Sequence, residues 1–312
     1  MQNRCLGVFL IFLVVPLVFL SILEIVFLSD FTSSRFYKNL LTKNNSYSQS
    51  AELIQKGNIE SGNFLADAAQ NINASWLQEN VEYNLDALFN FLGGKTATSQ
   101  MSINLTNLKK NLTPIPDLSA DAIAMIPDRL TFDSYKTFLE DLKGDLEKQS
   151  QGQQALIAQD IEDINSQIQT VDNLSAQFDN NLSSAKQAFF LAKVIAYVIF
   201  ALTLMLLVII AIICRRHPPA IFRWVGDALF IPALVLFLAT LFSQQLITNY
   251  LSPLRIFKLT QETQSLVVPL YRTSINEIFS DIIKISFIVA FIGLSFIVLS
   301  YILPLFMKKK GA

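Results

Sequence analysis

Three ionisable residues, Glu24, Lys193 and Lys284, stand inside long runs of Ile, Leu, Val and Phe. Charges are rare within helices that cross a bilayer. Where they occur they pair with one another, snorkel to the interface or mark an ion path. All three fall near the same end of their runs, so they are expected at similar depth. A Glu24–Lys193 or Glu24–Lys284 ion pair would tie two helices together. A transport path would place charges near the midplane, and there every run is apolar. Asp227 lies one turn after Arg223, which suits a pair within one helix.

Little else in the chain could do chemistry. His217 is the single histidine, so a His-based metal site or catalytic triad would need a second chain. Gly93-Gly94-Lys95 lacks the spacing of a phosphate-binding loop. Asp160, Glu162 and Asp163 read as the solvated face of a helix. No cofactor and no enzymatic activity are expected. The formal net charge is -1 and no basic face is visible, which argues against nucleic acid as a partner.

The elements that hold these residues are four apolar runs, 6–28, 189–213, 221–247 and 282–306. Each supplies the ~20 apolar residues that cross ~30 Å of hydrocarbon as a helix. The expected fold class is an all-α membrane protein. Four transmembrane helices carry a mainly helical, coiled-coil-like extracytoplasmic domain, residues 29–188, inserted between the first and second. That stretch is rich in Asn, Ser, Gln and Asp, and is long enough to bury its own core.

Orientation follows from basic residues in the short segments. Arg4 lies in the tail 1–5, Arg215 and Arg216 in the loop 214–220, and Arg223 just beyond it. Lys308, Lys309 and Lys310 lie in the tail 307–312. All of these share one side if there are four spans. Both termini are then cytoplasmic, while 29–188 and the loop 248–281 lie outside. A cleaved signal peptide fits less well, since the first run exceeds the usual ~7–15 apolar residues and no A-x-A-like site follows it. The two cysteines, Cys5 and Cys214, sit at inner ends, and the exported stretch has none. That points to a bacterial or archaeal plasma membrane rather than a disulfide-stabilised animal surface.

Within 29–188 the clearest pattern is a heptad seam. Ile157, Ile161, Ile164, Ile168, Val171, Phe178, Leu182, Ala185 and Phe189 recur at alternating steps of four and three, with Ser175 in the remaining slot. With no Pro or Gly before the membrane, one helix from about 153 is expected to run into the second span, with about 45–50 Å of it outside. Such a seam requires a partner. Candidates are the amphipathic stretch 132–147 with Tyr135, Phe138, Leu139, Leu142 and Leu146, and 75–92 with Leu77, Val81, Leu85 and Phe89. Ser75 with Gln78 reads as a capping box, and Gly93-Gly94 as the helix stop. Residues 98–105 alternate in strand fashion, and 112–128 is a proline-rich loop. Residues 96–128 are therefore expected to form a tip that carries any ligand or partner surface. The small face Ser286, Ala290 and Gly293 suits close helix packing.

The order span, helical domain, span over 6–213 resembles the sensor region of bacterial chemoreceptors in length and heptad pattern. That resemblance implies a four-helix extracytoplasmic bundle. The chain departs from the plan after Ile213, where Arg215-Arg216-His217-Pro218-Pro219 leads into a third span instead of a signalling helix. The family is not assigned on this pattern.

The expected partners are the lipid bilayer and a protein, either another chain or a second copy. The expected function is binding, sensing or scaffolding at the cell surface. The alternative is a subunit of an oligomeric channel or transporter; a third reading is an enzyme at the membrane surface, for which no site is visible.

Overall fold

The structure, a computed structural model, describes residues 2–59, 71–112, 124–149, 154–215, 217–250 and 261–309. Helix predominates: α1 (Gln2–Val26), α2 (Ser34–Lys43), α3 (Ser46–Ile59), α4 (Ala74–Leu92), α5 (Thr106–Leu112), α6 (Phe132–Gln149), α7 (Gln154–Ile213), α8 (Pro218–Tyr250) and α9 (Gln261–Lys309). Two short strands, β1 (Ile103–Asn104) and β2 (Arg129–Leu130), pair antiparallel. The chain divides into two compact units, Met1–Phe36 with Leu191–Ala312, and Tyr37–Phe190.

Among the described residues the first unit holds four helical stretches long and apolar enough to cross a membrane: Leu10–Phe31, the C-terminal part of Ala158–Ile213, Pro218–Gln244 and Gln264–Pro304. Their apolar windows are only 17–33% buried, so most of that apolar surface faces outward. This is the distribution expected when the solvent is lipid. The core runs along one face of α1, where Val14, Val18 and Ile22 repeat every four residues. They meet Ile210 of α7 and Ala228, Ala233 and Leu236 of α8.

The closest helix contact is between α8 and α9. A Cβ placed on Gly293 would come within 2.6 Å of the Phe230 backbone nitrogen, and one on Gly226 within 2.8 Å of the Gly293 carbonyl oxygen. Only glycine lets two backbones approach this far. The small face through Ser286, Ala290 and Gly293 thus has its counterpart at Gly226 in the same chain. Ser21 of α1 and Thr203 of α7 share a buried hydroxyl–hydroxyl bond of 3.0 Å. Pro232 is fully buried inside α8, and Pro269 and Pro304 fall inside α9. The segment assigned by sequence to an outer loop, 248–281, is helical from Gln261 onward. Its Glu277 and Asp281 stand four apart on that helix, a spacing that reads as polar loop when only hydropathy is followed.

The second unit is a set of helices over a small polar-clamped hairpin. The 60-residue α7 carries the seam, and its partner lies in the same chain. Leu139 of α6 packs with Ile164 and Val171, with Tyr135, Phe138, Leu142, Leu146 and Ile168 around them. One seam position differs from expectation. Ala185 is exposed, and Lys186 takes the inward slot, its ammonium 4.2 Å from the centre of the Phe91 ring. The lysine stem covers apolar surface while its charge sits on a ring face. Leu40, Tyr47 and Ala51 of α2 and α3 are buried as well, and Tyr37 stacks on Phe89 at 5.2 Å.

Helix ends follow local chemistry. The cap of α4 is Asn73, whose side chain accepts from the Trp76 N–H at 2.9 Å, in place of the expected Ser75. The stop at Gly93-Gly94 is as read, with Gly94 at φ +76° and the Lys95 N–H returning to the Asn90 carbonyl. Thr131 and Ser134 cap α6 reciprocally, each backbone N–H donating to the other's hydroxyl at 2.8 and 3.0 Å.

Candidate functional site

The second unit contains a cleft of about 1050 Å³. Its walls are α4, the extended segment 97–103, the start of α6 and the middle of α7. What builds it is a polar stripe on α4. Trp76, Asn80 and Asn84 are spaced four apart and so share a face. Trp76 Nε1–H donates to the Asn104 carbonyl at 2.8 Å, and the Asn80 side chain accepts from the Asn104 N–H. Asn84 bonds both backbone groups of Ser102, donating to its carbonyl and accepting from its N–H, each at 2.9 Å. The three side chains therefore act as the missing neighbour strand for 102–104, whose other edge pairs with β2. Asn80 and Ser102 are buried by this arrangement, and their polar groups stay satisfied.

The hairpin is closed from the far side by Lys109 of α5. Its ammonium donates to the Ile126 carbonyl at 2.7 Å and pairs with Asp128 at 3.2 Å. The Leu105 N–H reaches the Asp128 carbonyl at 2.8 Å. Within the expected tip, 96–128, residues 105–109 are thus tied to 126–128, and its first part lines the cleft. Its central residues, 113–123, lie outside the described residues.

The cleft interior is mixed. Phe132 of α6 and Phe178 of α7 face each other with ring centres 5.6 Å apart. Asp133 and Asp179 follow them in sequence and also line the cleft. Arg129 lies over the Tyr83 ring at 5.5 Å and donates to its hydroxyl at 3.4 Å. Ser175, the polar slot in the heptad seam, opens onto the cleft instead of packing in a core. On α6, Lys136 is bound to Asp172 of α7 at 2.8 Å, and this hydrogen bond raises the lysine's pKa.

Of the residues singled out by sequence, Lys284 finds its partner locally. Lys284 pairs with Asp281 on its own helix at 2.6 Å, and its side chain is 66% exposed. An i,i+3 partner within one helix is reached more cheaply than a carboxylate on another, which explains why Glu24 is not its partner. Glu24 Oε2 is buried and accepts no hydrogen bond. Lys193 lies half-buried on α7. Two further buried polar atoms of this unit, Asp30 Oδ2 and Ser286 Oγ, also lack a hydrogen bond. Arg215 is exposed in the turn after α7, and Arg223 is exposed on α8, where its charge acts on Asp227. Arg4, Lys308 and Lys309 belong to the ends of α1 and α9, while Arg216 and Lys310 lie outside the described residues. Among the described residues no three His, Cys, Asp or Glu side chains gather as metal ligands.

Comparison with protein-family models gives no match, and neither curated proteins nor solved structures resemble the chain closely enough to match it.

Proposed function

We propose that this protein is a membrane-anchored binding module. Four spans hold it in the membrane of a bacterial or archaeal cell with both termini inside. Residues 29–188 form its extracytoplasmic part, and the cleft there receives the ligand. The observation that carries this reading is the cleft itself: about 1050 Å³, walled in part by the non-helical segment 97–103. Ligand sites are commonly concave, mostly apolar and set with a few convergent polar groups.

The test uses purified full-length protein in mild detergent, followed by thermal unfolding with and without small-molecule extract of the host. Stabilisation that Ser99→Trp abolishes, by filling the cleft, supports the reading. If no fraction of the extract stabilises the protein, the cleft is not a binding site. A non-permeating maleimide should label Ser99→Cys in intact cells while Cys214 stays protected. The reverse pattern would invert the orientation.

A second reading, a subunit of an oligomeric channel or transporter, is favoured by the unpartnered buried atoms of Glu24, Asp30 and Ser286. Polar atoms in that position are costly unless they face water or one another. Liposomes containing the pure protein would then conduct ions, and Glu24→Gln would alter that conductance. Silent liposomes at several protein densities would remove this reading.

A further inference from the structure

We infer that the cleft takes a small organic cation, a protonated or quaternary amine on an apolar body, held against the cleft-facing side of the touching Phe132–Phe178 pair and by Asp133 and Asp179. This rests on the cleft being a binding site, as proposed above.

The geometry supplies both halves of a cation site. Phe132 and Phe178 come from facing helices, with ring centres 5.6 Å apart and planes tilted by 52°. Phe132 is 38% exposed, more than expected of a ring whose task is to fill a core. Ring faces attract cations, most strongly ones that shed their water easily, such as alkylated ammonium groups. Asp133 and Asp179, each following one of the rings in sequence, line the same cleft, and neither has an ion pair within 4 Å among the described residues, although the Lys136 charge acts on Asp133. The nearby base on α6, Lys136, is bound to Asp172. The base within the cleft, Arg129, is placed against the Tyr83 ring.

The field of the whole unit has the same sign. Residues Tyr37–Phe190 include 19 acidic and 11 basic residues, a net charge of -8, whereas the rest of the chain has 6 acidic and 13 basic residues. The net charge of -1 for the whole protein hides this division. A cleft in a unit this acidic draws cations in and repels anions. The apolar wall then selects among cations for those with a hydrocarbon body.

The experiment is calorimetric titration of full-length protein in non-ionic detergent with four probes: spermidine, choline, maltose and citrate. The expected result is saturable binding of spermidine or choline, weakened about tenfold by Phe178→Leu, which keeps bulk but removes the π face. Asp133→Asn with Asp179→Asn should weaken it further. Both aspartates lie on the surface, so that variant keeps its fold, and an unchanged thermal midpoint verifies this. Attraction that vanishes at high salt and ignores Phe178→Leu would be diffuse surface charge, and would overturn the inference. Binding of maltose or citrate blocked by Ser99→Trp would overturn it too, while leaving the binding-module reading intact. If no probe binds while host extract still stabilises the protein, the cation assignment alone fails. If the extract is inert as well, the binding-module reading fails with it.

Discussion

The two units are both mainly helical and hold their elements together by opposite means. In the membrane unit, α8 and α9 touch backbone to backbone at Gly226 and Gly293, and side chains are removed to permit it. In the Tyr37–Phe190 unit, α4 holds a strand at a distance with Trp76, Asn80 and Asn84, and side chains are added to permit it. The difference follows from solvent. Lipid tails compete for apolar surface as well as another helix does, so packing must come from close approach. Water competes for polar groups, so a buried backbone edge must be fully bonded before it is worth burying.

The sharpest way to break this comparison is Gly293→Leu. Its side chain cannot fit where even a Cβ meets Phe230 at 2.6 Å, so α8 and α9 must part. A loss of at least about 3 kcal/mol is expected, beyond ordinary overpacking, seen as loss of the monodisperse detergent-purified protein. A well-behaved Gly293→Leu protein would refute the close contact.

Next comes Asn84→Leu, which removes two bonds to Ser102 and leaves its N–H and carbonyl unpaired on the helix side. The expected cost is about 2–3 kcal/mol in urea unfolding, confined to the Tyr37–Phe190 unit. Loss from both units together would show that they unfold as one.

Alkali probes the same unit without substitution. Burial, with help from the negative charge of Glu82, pushes the Tyr47 hydroxyl up to about 12. The neutral form is therefore favoured in the folded state. The stability it brings is complete below pH ~10, where the unfolded tyrosine ionises, and is lost as pH climbs towards about 12. The loss should be on the order of 1–2 kcal/mol, followed by tyrosinate absorbance, and Tyr47→Phe should flatten that slope.

The smallest effect belongs to the membrane unit's own polar contact. Ser21→Ala breaks one interhelical bond to Thr203, for about 0.6 kcal/mol by analogy with other membrane helices. Equal costs for Ser21→Ala and Asn84→Leu in thermal unfolding would erase the contrast drawn above.

What was legible in the sequence tracks how far each signal extends. The spans and the 60-residue α7 were plain, because a run of apolar residues or a seam without Pro or Gly needs no knowledge of its partner. The seam slot at Lys186 was misassigned to Ala185, since a lysine stem on a ring counts as polar in any hydropathy pattern. The stripe of Trp76, Asn80 and Asn84 was invisible for a related reason: asparagines four apart look like a solvated face until a strand is laid against them. The partner strand, Arg129–Leu130, is two residues long and carries no pattern. The cleft was half legible. The texture of 96–128 marks part of the wall, but Phe178 reads as a seam position and Phe132 carries no signal that would bring the two rings together.

The clamped strand has one more consequence, in aggregation rather than in binding. A strand edge with free N–H and carbonyl groups is a template for another chain. Here β2 fills one edge of β1 and amide side chains of a helix fill the other. If α4 frays while the hairpin survives, that edge opens to solvent and to every neighbouring copy at once. The asparagines that shape the cleft are thus also the gatekeepers that keep crowded copies of this protein from stitching together edge to edge.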